Sequence, residues 1–254
     1  MLIFTLICVL SIMLVPSLAE AWGPYTHLYL GHQLISLGMA VLPSGVYALI
    51  KKYKGDFLYG NLIADIILGK RFQRLEKNSH SWDIAWRLFK AAKTKPQEAF
   101  VYGYLAHLSA DTVVHNLEKT KFPFKHSFLE IKSDSLIKRE YKKLLREIDK
   151  SVQKRNDIFL EQVLHSGVFS FRTNKRIFRG FLFLSRVHTY KPVSNFIDRR
   201  FSKKIPAADI HNFHQESLGR MLELLKNGKN SKMLHKTPLR KYRGRTSHSA
   251  THVS

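Results

Sequence analysis

From Leu28 onward the apolar residues recur at three- and four-residue intervals, and the strict alternation expected of a half-buried strand is scarce. The spacing predicts helices over Leu28–Ala40 and Val46–Lys54, separated by the Leu42-Pro43-Ser44-Gly45 turn, and a third over Tyr59–Leu68. Asn78-Ser79 offers a cap for a helix from His80 to Lys93, with Trp82, Ile84, Ala85, Trp86 and Phe89 on its apolar side. Pro96-Gln97-Glu98 opens the next helix, which runs through Phe100, Tyr104, Leu108 and Val113 to about Glu118. Its apolar residues reach round most of its circumference, the mark of a buried central helix. Ser133–Gln153 carries only a narrow stripe of Leu136, Ile137, Leu144, Leu145 and Ile148, which predicts a surface helix. Asp157–Leu164, Asn174–Val187, Val193–Phe201 and Ala207–Leu225 complete an all-α reading, a single helical domain over residues 22–226. From Asn227 to Ser254 the chain turns polar and basic, predicting a disordered tail. No internal repeat is present.

The segment before Trp22 is read apart from the fold. Leu2 to Val15 is almost wholly apolar, Pro16 interrupts it, and Ala19-Glu20-Ala21 supplies the small residues of a signal-peptidase site, so residues 1–21 read as a signal peptide cleaved before Trp22. An uncleaved anchor is the alternative, but the apolar run is short for a span of about 20 residues. The expected location is therefore secreted or periplasmic. Cys8, the one cysteine, lies in that segment, so the processed chain has no thiol and must draw stability from packing or a metal.

The net charge of +23 changes the picture further. Eight of the 42 Lys and Arg lie from Lys226 onward, leaving 34 against 19 acids, so the excess is spread over the folded part. Such a chain is drawn to anionic surfaces: acidic lipid, nucleic acid or cell-wall polymer. The Arg240-Lys241-Tyr242-Arg243-Gly244-Arg245 run reads as solvated tail, with adhesion to such surfaces as its functional alternative.

Against this background a set of ligand-type residues stands out. His107, Asp111 and His115 recur every four residues on one face of the central helix. For His107 and Asp111 alone, a hydrogen-bonded core pair is the simpler reading. A second four-residue pair, His126 and Glu130, follows across Phe122-Pro123-Phe124, so a return helix can face the first, and His27, Asp65 and His80 lie upstream. Two facing helices can build one site in a cleft, and imidazole with carboxylate is a donor set that zinc takes. His32, His188, His211 and His214 read as surface or hydrogen-bonded histidines, and Trp82, Trp86 and Phe89 as core.

Taken in order, these residues resemble the zinc-dependent phospholipase C family, which is related to the S1/P1 nucleases. The marks are Trp22-Gly23 with Thr26-His27, the Gly60-Asn61-Leu62-Ile63-Ala64-Asp65 segment, His80, the Gly103-Tyr104-Leu105-Ala106-His107-Leu108-Ser109-Ala110-Asp111 stretch, His115, and His126 with Glu130. The resemblance implies about three zinc ions in a helical cleft. Asp65, His80, His107 and Asp111 would hold one, with Asp111 bridging to a second that is completed by His27 and by the α-amine and carbonyl of Trp22. His115, His126 and Glu130 would hold the third. It further implies hydrolysis of the glycerol-phosphate ester of phospholipids by metal-activated water, with Asp65 and Asp111 catalytic and peripheral contact with a membrane surface. A single-strand nuclease with the same centre, or a non-catalytic basic protein stabilised by zinc, are the alternatives. Ala64 replaces a proline common in the family, and past Ser133 no family motif is legible, so substrate choice is not fixed by the resemblance.

Overall fold

The computed structural model describes residues 22–66, 78–116, 124–164, 170–188 and 206–238. All regular structure among them is helical: α1 (Pro24–Gly38), α2 (Ser44–Lys52), α3 (Lys54–Ile63) with a 3₁₀ turn Ala64–Ile66, α4 (Trp82–Ala91), α5 (Lys95–Asn116), α6 (Phe124–Leu136), α7 (Arg139–Lys142) with a 3₁₀ turn Lys143–Glu147, α8 (Lys150–Val163), α9 (Phe171–His188) and α10 (Ala207–Asn227). The all-α fold class holds. The segment read as a signal peptide, the helix expected over Val193–Phe201 and the chain after Pro238 lie outside the described residues. Among the described residues no helix is long and apolar enough to cross a membrane.

The central helix behaves as its pattern predicts. Gly103 to Val114 is buried on every side of α5, which packs between α3 and α10 with α4 and α8 against its flanks. Two glycines set the α3–α5 crossing. A Cβ built on Gly103 falls 2.8 Å from the Asn61 nitrogen and closer still to the Phe57 carbonyl, and one on Gly60 falls 2.9 Å from the Phe100 carbonyl carbon. The backbones therefore meet without side chains between them, and α3 leads straight into the turn that carries Asp65.

Several boundaries differ from the sequence expectation, α3 and α8 among them, which start at Lys54 and Lys150 rather than Tyr59 and Asp157; three of the differences have a visible cause. The helix expected from His80 starts at Trp82, because Ser81 is its cap: Ser81 Oγ accepts from Ile84 N at 3.2 Å, while Asn78 Oδ1 accepts from His80 N at 2.9 Å and turns the chain. His80 is thus presented from a turn. The surface helix expected over Ser133–Gln153 is broken. Ser133 and Asp134 are buried and tied to α1, α6 ends at Leu136, and Asp149 caps α8 by accepting from Val152 N at 2.8 Å. The apolar stripe was real, since Ile137, Leu144 and Ile148 are buried, but turns bury it.

The third concerns Asn227, where the tail was expected to begin. The chain continues as 3₁₀ turns Gly228–Asn230 and Lys232–His235, with Glu223 accepting from Lys232 N at 3.1 Å and from Ser231 Oγ, and with Trp82 Nε1 donating to the Lys236 carbonyl at 2.8 Å. A few side-chain bonds to α4 and α10 hold a segment whose own composition has little to bury.

Candidate metal centre

α1 begins at Pro24, earlier than its apolar pattern, and this puts His27 in the first helical turn. Its ring stacks on His107 of α5, centroids 3.8 Å apart and 19° from parallel. The 3₁₀ turn after α3 supplies Asp65, the turn before α4 supplies His80, and α5 supplies His107 and Asp111. Four separate segments thus send five ligand-type side chains to one point. His80 Nε2 lies 3.1 Å from Asp65 Oδ1 and 3.3 Å from Asp111 Oδ2, and His107 Nε2 lies 3.1 Å from Asp111 Oδ2 and 3.8 Å from Asp65 Oδ2. His27 Nε2 lies 3.2 Å from Asp111 Oδ1, and the two Nε2 atoms of His80 and His107 face each other at 3.1 Å.

One donor atom from each of His27, Asp65 and His107 falls within 4.8 Å of the others, and the same holds for His80, His107 and Asp111. Four of the five side chains are buried; Asp65, at 16% exposure, marks the open rim.

The supports around these side chains fix their orientation. His107 Nδ1 donates to the Asn61 carbonyl at 2.9 Å, which leaves Nε2 as the nitrogen that faces the cluster. The Asn61 amide in turn donates to the His27 carbonyl at 2.6 Å. Tyr104, immersed in the core, donates its hydroxyl to the Ser79 carbonyl and so holds the turn bearing His80.

Electrostatics single out Asp111. Burial opposes its ionisation, yet His107 and His27 outweigh that cost and hold the carboxyl well below its ordinary range. For His107 burial acts against the charged form, but Asp111 and Asp65 override it and push the imidazole up. His27 goes the other way, pushed down by burial and by the neighbouring His107.

The residues fit zinc. Both oxygens of Asp111 and both ring nitrogens of His27 are buried without a hydrogen bond, although His27 Nε2 is within ion-pair reach of Asp111. Lone pairs aimed at one another across about 3 Å are what a cation between them satisfies, and a nitrogen/oxygen donor set suits zinc.

Trp22 lies beside this centre. Its ring is buried between α5 and α10, with Nε1 donating to Ser217 Oγ at 3.0 Å and to the Ala110 carbonyl, next to Asp111, at 3.3 Å. Glu130 is buried on α6. His115 and His126 fall on α5 and α6, and their side chains lie outside the described residues. Of the histidines read as non-ligands, His32 packs edge-on against Tyr141 and His214 against the Trp22 ring.

Sequence reasoning missed a buried polar chain beneath Trp22. Asp134 Oδ1 accepts from Thr26 N and from Thr26 Oγ1, both at 2.8 Å, and Oδ2 accepts from Tyr25 N at 3.3 Å. Because the Thr26 hydroxyl donates to the carboxylate, it accepts from Ser133 Oγ at 2.7 Å, and Ser133 accepts from His214 Nε2 at 2.6 Å. Burial pushes the His214 imidazole down to about 4, so it is neutral here. The available signal was spacing: Asp134 follows Glu130 by one helical turn on α6.

The fold and this cluster define a class, a helical protein with a buried histidine–aspartate centre suited to zinc. A family profile described as zinc dependent phospholipase C matches residues 26–173, and the chain belongs to that family. The match continues to residue 173, well past Glu130, where the legible motifs end. No curated protein and no solved structure matches the chain.

Proposed function

We propose that this chain is an exported zinc-dependent phosphodiesterase that cleaves the glycerol-phosphate ester of phospholipids. The observation that carries the reading is the convergence of His27, Asp65, His80, His107 and Asp111 in a chain of the zinc-dependent phospholipase C family. In this reading Asp65, His80, His107 and Asp111 would hold one ion, and Asp111, His27 and the backbone of Trp22 would contribute to a second. His115, His126 and Glu130 would hold a third. Bound zinc supplies a water whose pKa falls toward neutrality and positive charge for the phosphate oxygens.

The chain's own groups do the rest. Asp65, the one member of the five at the rim, takes the proton of the attacking water, with His80 holding its Oδ1 in place at 3.1 Å. Asn61 keeps His107 and His27 at their angle through the reaction. Release of residues 1–21 frees the α-amine of Trp22, so export and completion of the centre coincide.

Product identity tests the reading. The processed, zinc-loaded protein is expected to release diacylglycerol from short-chain phosphatidylcholine and to leave single-stranded DNA intact. The charge of +23 favours one second reading, a nuclease on the same centre, and DNA cleavage without lipid cleavage would establish that instead.

The membrane contact in this proposal has a specific face. A groove of about 480 Å³ between α8 and α9 is lined by Lys150, Lys154, Arg172, Lys175 and Arg179, with Ile158 52% exposed among them. Asp157 and Glu161 also line it, against five cations; Asp157 is paired with Lys175, and Arg179 donates to Gln153 at 3.3 Å. α9 also packs against the turn that carries Asp65, so the cationic face and the rim of the centre share one helix. Each basic residue near an anionic bilayer contributes about 1 kcal/mol. Lys154→Gln with Arg172→Gln is therefore expected to weaken binding to phosphatidylglycerol vesicles by roughly tenfold or more at low salt, with hydrolysis of monomeric short-chain substrate unchanged. Vesicle co-sedimentation at wild-type level in the double variant would remove this face from the proposal.

A further inference from the structure

We infer that Asp134 is a positioning residue for the zinc centre: its carboxylate is the receptor into which the Trp22-Gly23 segment docks, and Gly23 is required because the receptor fills the space of a side chain. The inference rests on the metal reading above and adds a residue to it.

The argument begins with a helix that cannot cap itself. α1 opens with Gly23 at its N-cap and Pro24 after it, and no side chain of its own accepts from the first-turn amides. Those amides are buried and need an acceptor. Asp134 provides it from α6, with Oδ1 on Thr26 N at 2.8 Å and Oδ2 on Tyr25 N at 3.3 Å. A carboxylate there also meets the positive end of the helix dipole. This cap lies far away in sequence, so it joins two helices as well as ending one.

Gly23 records how close the approach is. A Cβ built on it falls within 2.5 Å of Cγ, Oδ1 and Oδ2 of Asp134. The Asp134 side chain has no freedom to yield, because Thr26 N, Thr26 Oγ1 and Tyr25 N all hold it. Gly23 and Asp134 are therefore one fitted pair.

The pair acts on the centre through His27. The His27 amide donates to the Gly23 carbonyl at 3.1 Å, and its carbonyl accepts from Asn61 at 2.6 Å, so both ends of the residue are held. Held at both ends, its ring stacks on His107 with Nε2 3.2 Å from Asp111. α6 carries Glu130 one turn before Asp134, and the same helix thereby links the two sides of the proposed trinuclear site.

A double-mutant cycle on the processed protein tests this, read by competition for zinc with a chelator and by the melting temperature of the metal-free form. Gly23→Ala and Asp134→Ala are each expected to weaken the most labile zinc by roughly tenfold or more, the scale seen when a support of a ligand is lost. The double variant is expected to bind zinc no more weakly than Asp134→Ala alone, because the added methyl then finds open space. Asp134→Asn, which keeps the shape and one acceptor, is expected to lie between wild type and Asp134→Ala. Losses that add in the double variant would show that the two residues do not meet. A lower melting temperature with unchanged zinc affinity would reduce Asp134 to a helix cap and overturn the inference. Absence of zinc from the wild type would instead sink the metal reading itself.

Discussion

Asp111→Asn is expected to remove more than about 100-fold of the hydrolytic activity and to release two zinc ions together. Loss of a residue that merely orients a ligand already costs 10–100-fold. Asp111 stands closer in: its two oxygens face His27 on one side and His80 and His107 on the other, all within 3.3 Å. Glu130→Gln, on a different helix, is expected to weaken one ion and leave the other two. Metal analysis of the purified variants separates these outcomes, and equal losses from both would contradict the assignment.

The same substitution carries a pH signature in chelator-treated protein. His107 is pushed up from its ordinary 6.5 and Asp111 is held well below its ordinary 3.8. A raised histidine stabilises the fold below 6.5 and loses that contribution as pH rises through its folded value, while a depressed carboxyl stabilises above 3.8 and loses it as pH falls through its folded value. Both contributions are present between those ordinary values. The stability gap between metal-free wild type and metal-free Asp111→Asn is therefore expected to be larger at pH 5.5 than at pH 8.5. In zinc the order inverts, because metal and proton compete for the same nitrogens and the wild type gains most where His107 is neutral.

How much of this was legible beforehand depended on the range of each signal. Helical periodicity is local, so α1, α5 and α10 were found within a few residues of their ends. The four-residue recurrence of His107 with Asp111 survives folding unchanged, since both lie on one helix face. His27, Asp65 and His80 entered only as members of an ordered set, and nothing in their spacing says that three segments turn back to α5. The break in Ser133–Gln153 was illegible for a related reason. Ser133 and Asp134 look like surface polarity until α1 and α10 arrive to use them, and a cap supplied from 108 residues away leaves no local trace. Order after Asn227 had the same origin, in partners on α4 and α10.

Gly103→Ala is expected to be strongly destabilising, because the added methyl meets backbone rather than a side chain. Overpacking a core typically costs about 1–3 kcal/mol where side chains can shift, and occasionally more. Here the new atom meets backbone of α3, so the helices themselves must separate, and the Asn61 carbonyl moves off His107 as they do. A loss of roughly 3 kcal/mol or more corresponds to a fall of about 6–12 °C in melting temperature for a domain of this size. Gly219→Ala is the matched control: it lies in α10 with nothing within 4 Å of the added atom. Helix propensity alone predicts a gain of about 0.5–1 kcal/mol there. If both substitutions raised the melting temperature, Gly103 would be an ordinary helical position and the crossing would not depend on it. Opposite signs, with weakened zinc only in Gly103→Ala, would tie the geometry of the centre to the absence of one side chain on α5.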